Sequence, residues 1–379
     1  MSVSVNSRRT RLRSALAVVL TVLVVLPTAA LFLRVLDEVN TQRDETQLKQ
    51  HGVEYLATLA PLVSALAESQ SQALQGVSTE PQSLTAAVAR VQEADARLGE
   101  ELDTASRWAG LKEKIGRLPG IAGSAQTIYD AHVEVGELAL ELYSEVRENS
   151  KLNMDQQSDI WFIQETITVD MPEAVTNVSR MSDSANMLAA ASNQRQRAAL
   201  QVQLGVAVEA VEESVEELTD HLQAAAEDTE SSTLAGNLVS NLDSFRRGVE
   251  AANRGTNYGG DPNVSTLVTA QSTLATALNA LTTVTLKELS TLLEERDDDL
   301  QIRQIEAWAL LGVSIALLVV ATFWTRSRAA QVRDSLDSSR DFSVRADSDG
   351  PGSSAVSPYD QAPGYGGSAT GRERSGALR

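Results

Sequence analysis

Apolar residues recur along most of this chain at alternating steps of three and four, the spacing that aligns one face of a helix. Gly and Pro break that spacing only in a few clusters, and those clusters set the expected helix boundaries. The first helix carries Leu48, Tyr55, Leu59, Leu62 and Leu66 on one stripe and ends at Gly76 to Pro81, with Pro61 expected to bend it. A second, about Gln82 to Leu118, aligns Leu84, Val88, Val91, Leu98, Leu102, Ala105 and Ala109, and Pro119-Gly120 stops it. A third, about Ile121 to Ser150, repeats the pattern with Ile128, Val135, Ala139, Leu142 and Val146. Asp155 is placed to cap a short fourth helix containing Trp161 and Phe162. Asp170-Met171-Pro172-Glu173 then reads as the start of a fifth, a capping Asp with Glu three residues on. A turn is expected near Ser192-Asn193, and Leu204, Val208, Val211, Val215, Leu218, Leu222 and Ala225 form the cleanest seam. After a polar break at 228–232 a shorter helix reaches about Asn253, and the loop Gly255 to Pro262 follows. No Gly or Pro lies between Asn263 and Leu311, so one helix is predicted from Val264 to Thr325. It would hold about 62 residues and be roughly 90 Å long.

Two stretches depart from this amphipathic pattern by being apolar throughout. Ala307 to Thr325 is uncharged and about long enough to cross a bilayer as one helix, and Ser14 to Leu33 is similar. Arg326, Arg328 and Arg333 follow the later run, while Asp297, Asp298, Asp299 and Glu306 precede it. Arg8, Arg9, Arg11 and Arg13 precede the earlier one. The positive-inside bias places both termini in the cytoplasm. The expected organisation is a cytoplasmic N-terminus at 1–13, spans at 14–33 and 307–325, an extracytoplasmic helical region at 34–306, and a cytoplasmic tail at 326–379. The rival for the first run is a cleaved signal peptide, since Pro27-Thr28-Ala29-Ala30 supplies small residues after an apolar core. Leu31, Phe32 and Leu33 continue the run past Ala30 and favour an anchor. The tail beyond about Ser343, rich in Gly, Ser, Asp and Pro, reads as disordered, and the segment after Thr325 is expected to hold no kinase or cyclase.

The fold class these elements imply is all-α, an extracytoplasmic helical region flanked by two transmembrane helices. With 42% apolar and only 4% aromatic residues, its cores are built mainly of Leu, Val and Ala. Cysteine is absent, which removes disulfides, thiolate metal sites and cysteine nucleophiles. Residues 35–306 contain 44 Asp and Glu against 19 Lys and Arg, a difference of 25 negative charges. Nucleic acid is therefore excluded as an expected partner; such a surface is a solvated, self-repelling exterior or a binder of cations.

Catalytic and metal chemistry find little support. None of His51, His132 and His221 has Glu three positions before it, so the Glu-x-x-His pairs of di-iron bundles are missing. Neither a phosphate loop, a nucleophile elbow nor a His-Glu-x-x-His motif occurs, and neither an enzyme nor a cofactor is expected. Two polar residues interrupt apolar seams: Asp95 between Val91 and Leu98, and His132 between Ile128 and Val135. Buried polar groups need partners, so each is either satisfied within the core or a contact for a ligand between helices. Arg107, next to Trp108, and Arg180 are candidate anion contacts through their guanidinium groups, with a surface salt bridge as the competing use.

Three stretches sharpen the picture: VEYLATLAPLVSALAESQSQALQ from Val53, RWAGLKEKIGRLP from Arg107 and NSKLNMDQQSDIWFIQETITVDMPEAV from Asn149. They resemble the sensor regions of two-span bacterial chemotaxis receptors, diguanylate cyclases and nitrate/nitrite-sensing histidine kinases. The resemblance covers roughly residues 36–325 and implies two stacked four-helix bundles, a small-molecule or anion ligand, a homodimer and a separate signalling protein as partner. No arginine matches the nitrate contacts expected of those receptors. The functional expectation is a sensory input protein anchored in the lipid bilayer; the alternative is a scaffold that projects a helical rod into the cell envelope.

Overall fold

The computed structural model describes residues 4–77, 79–155, 158–228, 232–256 and 262–343. Among the described residues every regular element is helical: α1 (Ser4–Leu74), α2 (Gln82–Leu98), α3 (Ala105–Arg117), α4 (Ala125–Asn149), α5 (Ser158–Glu165), α6 (Met171–Ala190), α7 (Gln194–Asp228), α8 (Ser232–Thr256) and α9 (Val264–Ser343). A 3-10 turn, Leu118–Gly120, follows α3, and a π-helical turn, Thr166–Asp170, joins α5 to α6. The chain divides into two units, Met1–Leu311 and Gly312–Arg379.

In the first unit the residues that recur at helical spacing are the ones withdrawn from water. Leu59 and Leu62 of α1, Leu84 and Val91 of α2, Leu142 of α4, Met181 of α6, Val211 and Leu218 of α7, Phe245 of α8 and Leu281 of α9 belong to one contiguous apolar cluster. Removing such a side chain from water contributes about 1.5–3 kcal/mol before the entropy of ordering it is counted. Helix α1 packs on α2, α4 and α6, while α7 packs on α5, α6 and α8. Close approach is built in at Gly52, where a Cβ would sit 2.3 Å from Ser150 Oγ, so the end of α4 lies directly on α1. The turn between α6 and α7 falls at 191–193, with Ala191 extended.

Two expected boundaries differ from the structure. The helix predicted over Gln82 to Leu118 is broken at Gly99–Thr104, where Asp103 adopts a left-handed φ of 50°. The cause is Asp95: its Oδ1 accepts hydrogen bonds from Tyr55 Oη at 3.0 Å and Thr104 Oγ1 at 2.9 Å. Its carboxylate thus lies where a Cβ at position 99 would meet it at 2.5 Å. Only glycine fits there, and Thr104 folds back to reach the acid. The fourth and fifth helices, expected to be separated by a cap at Asp170, instead form one run through the π turn. Pro172 has no N–H for the carbonyl one turn before it, and its ring crowds that carbonyl. The wider π register accommodates this, with Met171 N–H reaching Thr166 O. Asp170 makes no side-chain cap bond.

Among the described residues one helix, Val264–Trp324, is long and apolar enough to cross a membrane. From Trp308 to Trp324 most of its apolar side chains are exposed, including Leu310, Val313, Leu317 and Phe323. The helix continues to Ser343, where the tail expected to be disordered begins. The remainder of the tail, 344–379, lies outside the described residues, as does 257–261 of the predicted loop. The earlier apolar run is helical within α1, and Leu23, Leu26, Leu31 and Leu33 are exposed, whereas the side chains of 14–18, 20, 21 and 24 lie outside the described residues.

Candidate functional site

The four residues singled out from sequence are placed apart, each with partners of its own. Asp95 is held by Tyr55 and Thr104. Burial and the negative charge of Asp95 push the Tyr55 phenol well above its usual range, although the Thr104 bond opposes this, so Tyr55 stays a donor. Arg107 is half exposed and donates to Glu145 at 2.5 Å and Glu141 at 2.9 Å on α4. The Glu145 bond raises its already high pKa. His132 is buried, and its Nδ1 lies 2.9 Å from the Ile128 carbonyl. Burial lowers its pKa, which favours the neutral ring donating to that carbonyl. Arg180 pairs with Glu137, and its Nε is buried without a partner. No cavity described in the structure gathers two of the four.

A different set of charged groups converges. Asp155, in the link between α4 and α5, has a fully buried carboxylate. Its Oδ2 accepts from Lys49 Nζ of α1 at 2.5 Å and from Arg296 Nη1 of α9 at 2.8 Å. Arg296 Nη2 reaches Oδ1 at 3.1 Å, making the pair two-pronged. Lys49 also donates to the Met154 carbonyl. A cavity of about 840 Å³ opens beside this cluster, with Trp161, Glu295, Asp299 and Arg303 on its wall. Nearer the apolar runs, Arg43 of α1 bonds Asp297 and Gln304 of α9, each at 3.1 Å. The Phe32 and Trp308 rings meet edge to face with centroids 5.1 Å apart. Both cations at Asp155 are committed to it, so the arrangement is an ionic clasp between α1 and α9 rather than an open anion receptor.

Two further buried acids were missed as chemistry by sequence reasoning. Asp170, in the π turn, lies 2.7 Å from His221 Nδ1 of α7, and that imidazole also packs against Trp161 and Phe162. Burial pushes Asp170 upward, an effect the His221 contact opposes; Glu173 is raised by burial and then by Glu217. Asp183 of α6 is 1% exposed and among the described residues meets only neutral donors: Ser71 Oγ at 2.6 Å, Gln70 Nε2 at 2.9 Å and Ser179 Oγ at 3.4 Å. Burial outweighs those bonds and raises its pKa to about 6. Pro172 one turn after an apolar stretch is the sequence signal that could have pointed to the π turn. Nothing local distinguishes Asp183 from a solvated acid.

Among the described residues no group of three or more His, Asp or Glu is placed to hold a metal ion. The chemistry on offer is recognition by charge and hydrogen bonding between helices, with α1 and α9 as the shared walls. No family model, curated protein or solved structure matches the chain.

Proposed function

We propose that this is a membrane-anchored, sensor-like input protein whose helical region lies outside the membrane and signals through a separate partner. The observation that carries this reading is the continuity of α9: it holds buried core leucines such as Leu274 and Leu281, then exposed apolar residues from Trp308 to Trp324, and runs on to Ser343. Exposed apolar surface of that extent needs a lipid environment. The resemblance of the 53–75, 107–119 and 149–175 stretches to two-span receptor sensor regions supports the same reading. So does the packing of α1 on α2, α4 and α6 and of α7 on α6 and α8, the helix-on-helix contacts from which four-helix bundles are made. The Phe32 and Trp308 contact supports a second span, because it brings the last turn of the earlier apolar run against α9. On this reading both termini are cytoplasmic, and ligand binding acts by favouring one of two arrangements of α1 and α9, limited by the ligand's differential affinity for them.

Single cysteines at positions 5, 100 and 335, labelled from outside intact cells with a membrane-impermeant maleimide, test the topology. Only position 100 should react. Inserting two glycines between Leu300 and Glu306 tests transmission: helix-dependent coupling predicts that crosslinking of the 326–343 segment to neighbouring proteins loses its response to conditions while the fold is retained. Transmission that survives the insertion would discard the stiff-helix route, and a parent protein whose 326–343 segment shows no response to conditions would favour a scaffold that projects helices from the membrane.

A further inference from the structure

A second cleft lies between α1, α6 and α9, with a volume of about 350 Å³. Ala67, Val175, Val178, Val268, Ala275 and Leu278 give it aliphatic walls. Its polar surface combines serine hydroxyls and the Glu68 carboxylate with the carboxamides of Gln72, Gln75, Asn186 and Gln271. Ser71 and Ser179 line the cleft and donate their hydroxyl protons to Asp183 behind the wall, which leaves their lone pairs available to an occupant. Glu68 also lines it, its carboxylate held by Gln72 Nε2 at 2.9 Å and Ser83 Oγ at 2.6 Å. Neither acid has a cationic partner among the described residues, and no Lys, Arg or His lines the cleft.

We propose that this cleft binds a small organic amine as its ammonium ion, with the aliphatic part of the ligand on the Val and Leu walls. An ammonium supplies three donors and no acceptor, the complement of the Glu68 carboxylate and of the two serine hydroxyls whose protons already point to Asp183. Its charge supplies the counterion that Asp183 lacks, acting across the Ser71 and Ser179 hydroxyls. An alcohol of the same shape offers one donor and no charge, and a carboxylate is repelled. Asp183 is thus a positioning residue that orients the two serines and sets the sign of the potential. The inference rests on the reading of the protein as a ligand-binding input, and it gives that ligand a chemical class.

The test uses the full chain in lipid nanodiscs, with thermal unfolding followed by tryptophan fluorescence in the presence of n-pentylamine, n-pentanol or pentanoate. A ligand that binds the folded state raises the midpoint by mass action. Pentylamine should raise it and the other two should not. Asp183→Asn should weaken the amine by about tenfold or more, the scale of a charge-assisted contact. Ala275→Phe, which fills the cleft from its rim without touching the Asp183 network, should abolish the amine shift while leaving the ligand-free midpoint in place. Equal shifts by amine and alcohol, an unchanged amine affinity in Asp183→Asn, or an amine shift that survives Ala275→Phe would each overturn the proposal. The input reading fails separately: amine binding that follows all these expectations but leaves crosslinking of the 326–343 segment unchanged retains the site and removes the signalling role.

Discussion

The carboxylate of Asp155 is fully buried and meets two cations, Lys49 and Arg296, from the two helices that carry the apolar runs. The carboxylate of Asp183 is equally withdrawn from water and meets two serines and a glutamine. Taking a charge out of water is costly in both places, but only at Asp155 is the charge itself answered. Neutral donors satisfy the lone pairs of Asp183 and leave its field in place, which is why burial carries its pKa to about 6 despite three hydrogen bonds. The first acid therefore fastens helices together; the second keeps a negative potential available to whatever enters the cleft beside it.

The largest expected effect comes from breaking the answered charge. Lys49→Met keeps much of the buried stem but removes one of the two cations that meet Asp155. The change should cost about 3 kcal/mol, at the low end of the range for stripping a partner from a buried pair because one partner stays. Denaturant unfolding of the full chain in detergent measures it. A cost below about 1 kcal/mol would mean that water reaches Asp155 and that the clasp is no tighter than a surface pair. Asp155→Asn in the Lys49→Met background should recover part of the loss, since the two changes share one network.

How much of this was legible in the sequence depends on the range of the interaction. The seams Leu84, Val91 and Leu98 or Leu204, Val211 and Leu218 are local periodic signals, and those residues are buried. Asp95 was visible as a polar break in such a seam, and it is a satisfied one; that it would bend the chain at Gly99 depends on Tyr55, 40 positions away. Asp155 looked like a helix cap because capping needs only the next few residues. The two cations that meet it lie 106 and 141 positions away, where no sequence window reaches. Arg107 and Arg180 were candidate anion contacts with a surface salt bridge as the competing use, and each pairs with acids on α4. Asp183 carries no local mark at all, since its burial comes from the packing of α6 on α1.

The unanswered charge should show itself through pH. The folded-state pKa of Asp183, about 6, is raised above the ordinary value of 3.8. Its contribution to stability is therefore fully present below pH 3.8 and is lost as pH rises through about 6. The full swing is about 3 kcal/mol, and roughly half of it, about 1.5 kcal/mol, falls between pH 5 and pH 7.5. Asp170 and Glu173 are shifted in the same direction and add to the slope. Asp183→Asn should remove only its own share: relative to the parent protein, the variant gains stability as pH rises from 5 to 7.5. A stability difference that does not change with pH would show that Asp183 titrates like a solvated acid.

The smallest effect sharpens the comparison from the other side. Arg107 makes the same kind of contact as Arg296, a guanidinium on carboxylates, at 2.5 Å from Glu145 and 2.9 Å from Glu141. Its geometry is as good as that at Asp155, but 46% of its side chain is exposed, and so is 56% of Glu141. Water and salt screen such a pair, and the ordering of long side chains offsets much of what attraction remains. Arg107→Ala should therefore cost less than about 1 kcal/mol, and that loss should shrink further in high salt, whereas the loss from Lys49→Met should hardly respond to salt. Unfolding of both variants at low and high ionic strength separates the two cases. If the Arg107 and Lys49 variants lost similar stability with the same salt response, burial would not be what distinguishes the clasp, and the contrast between Asp155 and the surface pairs would fall with it.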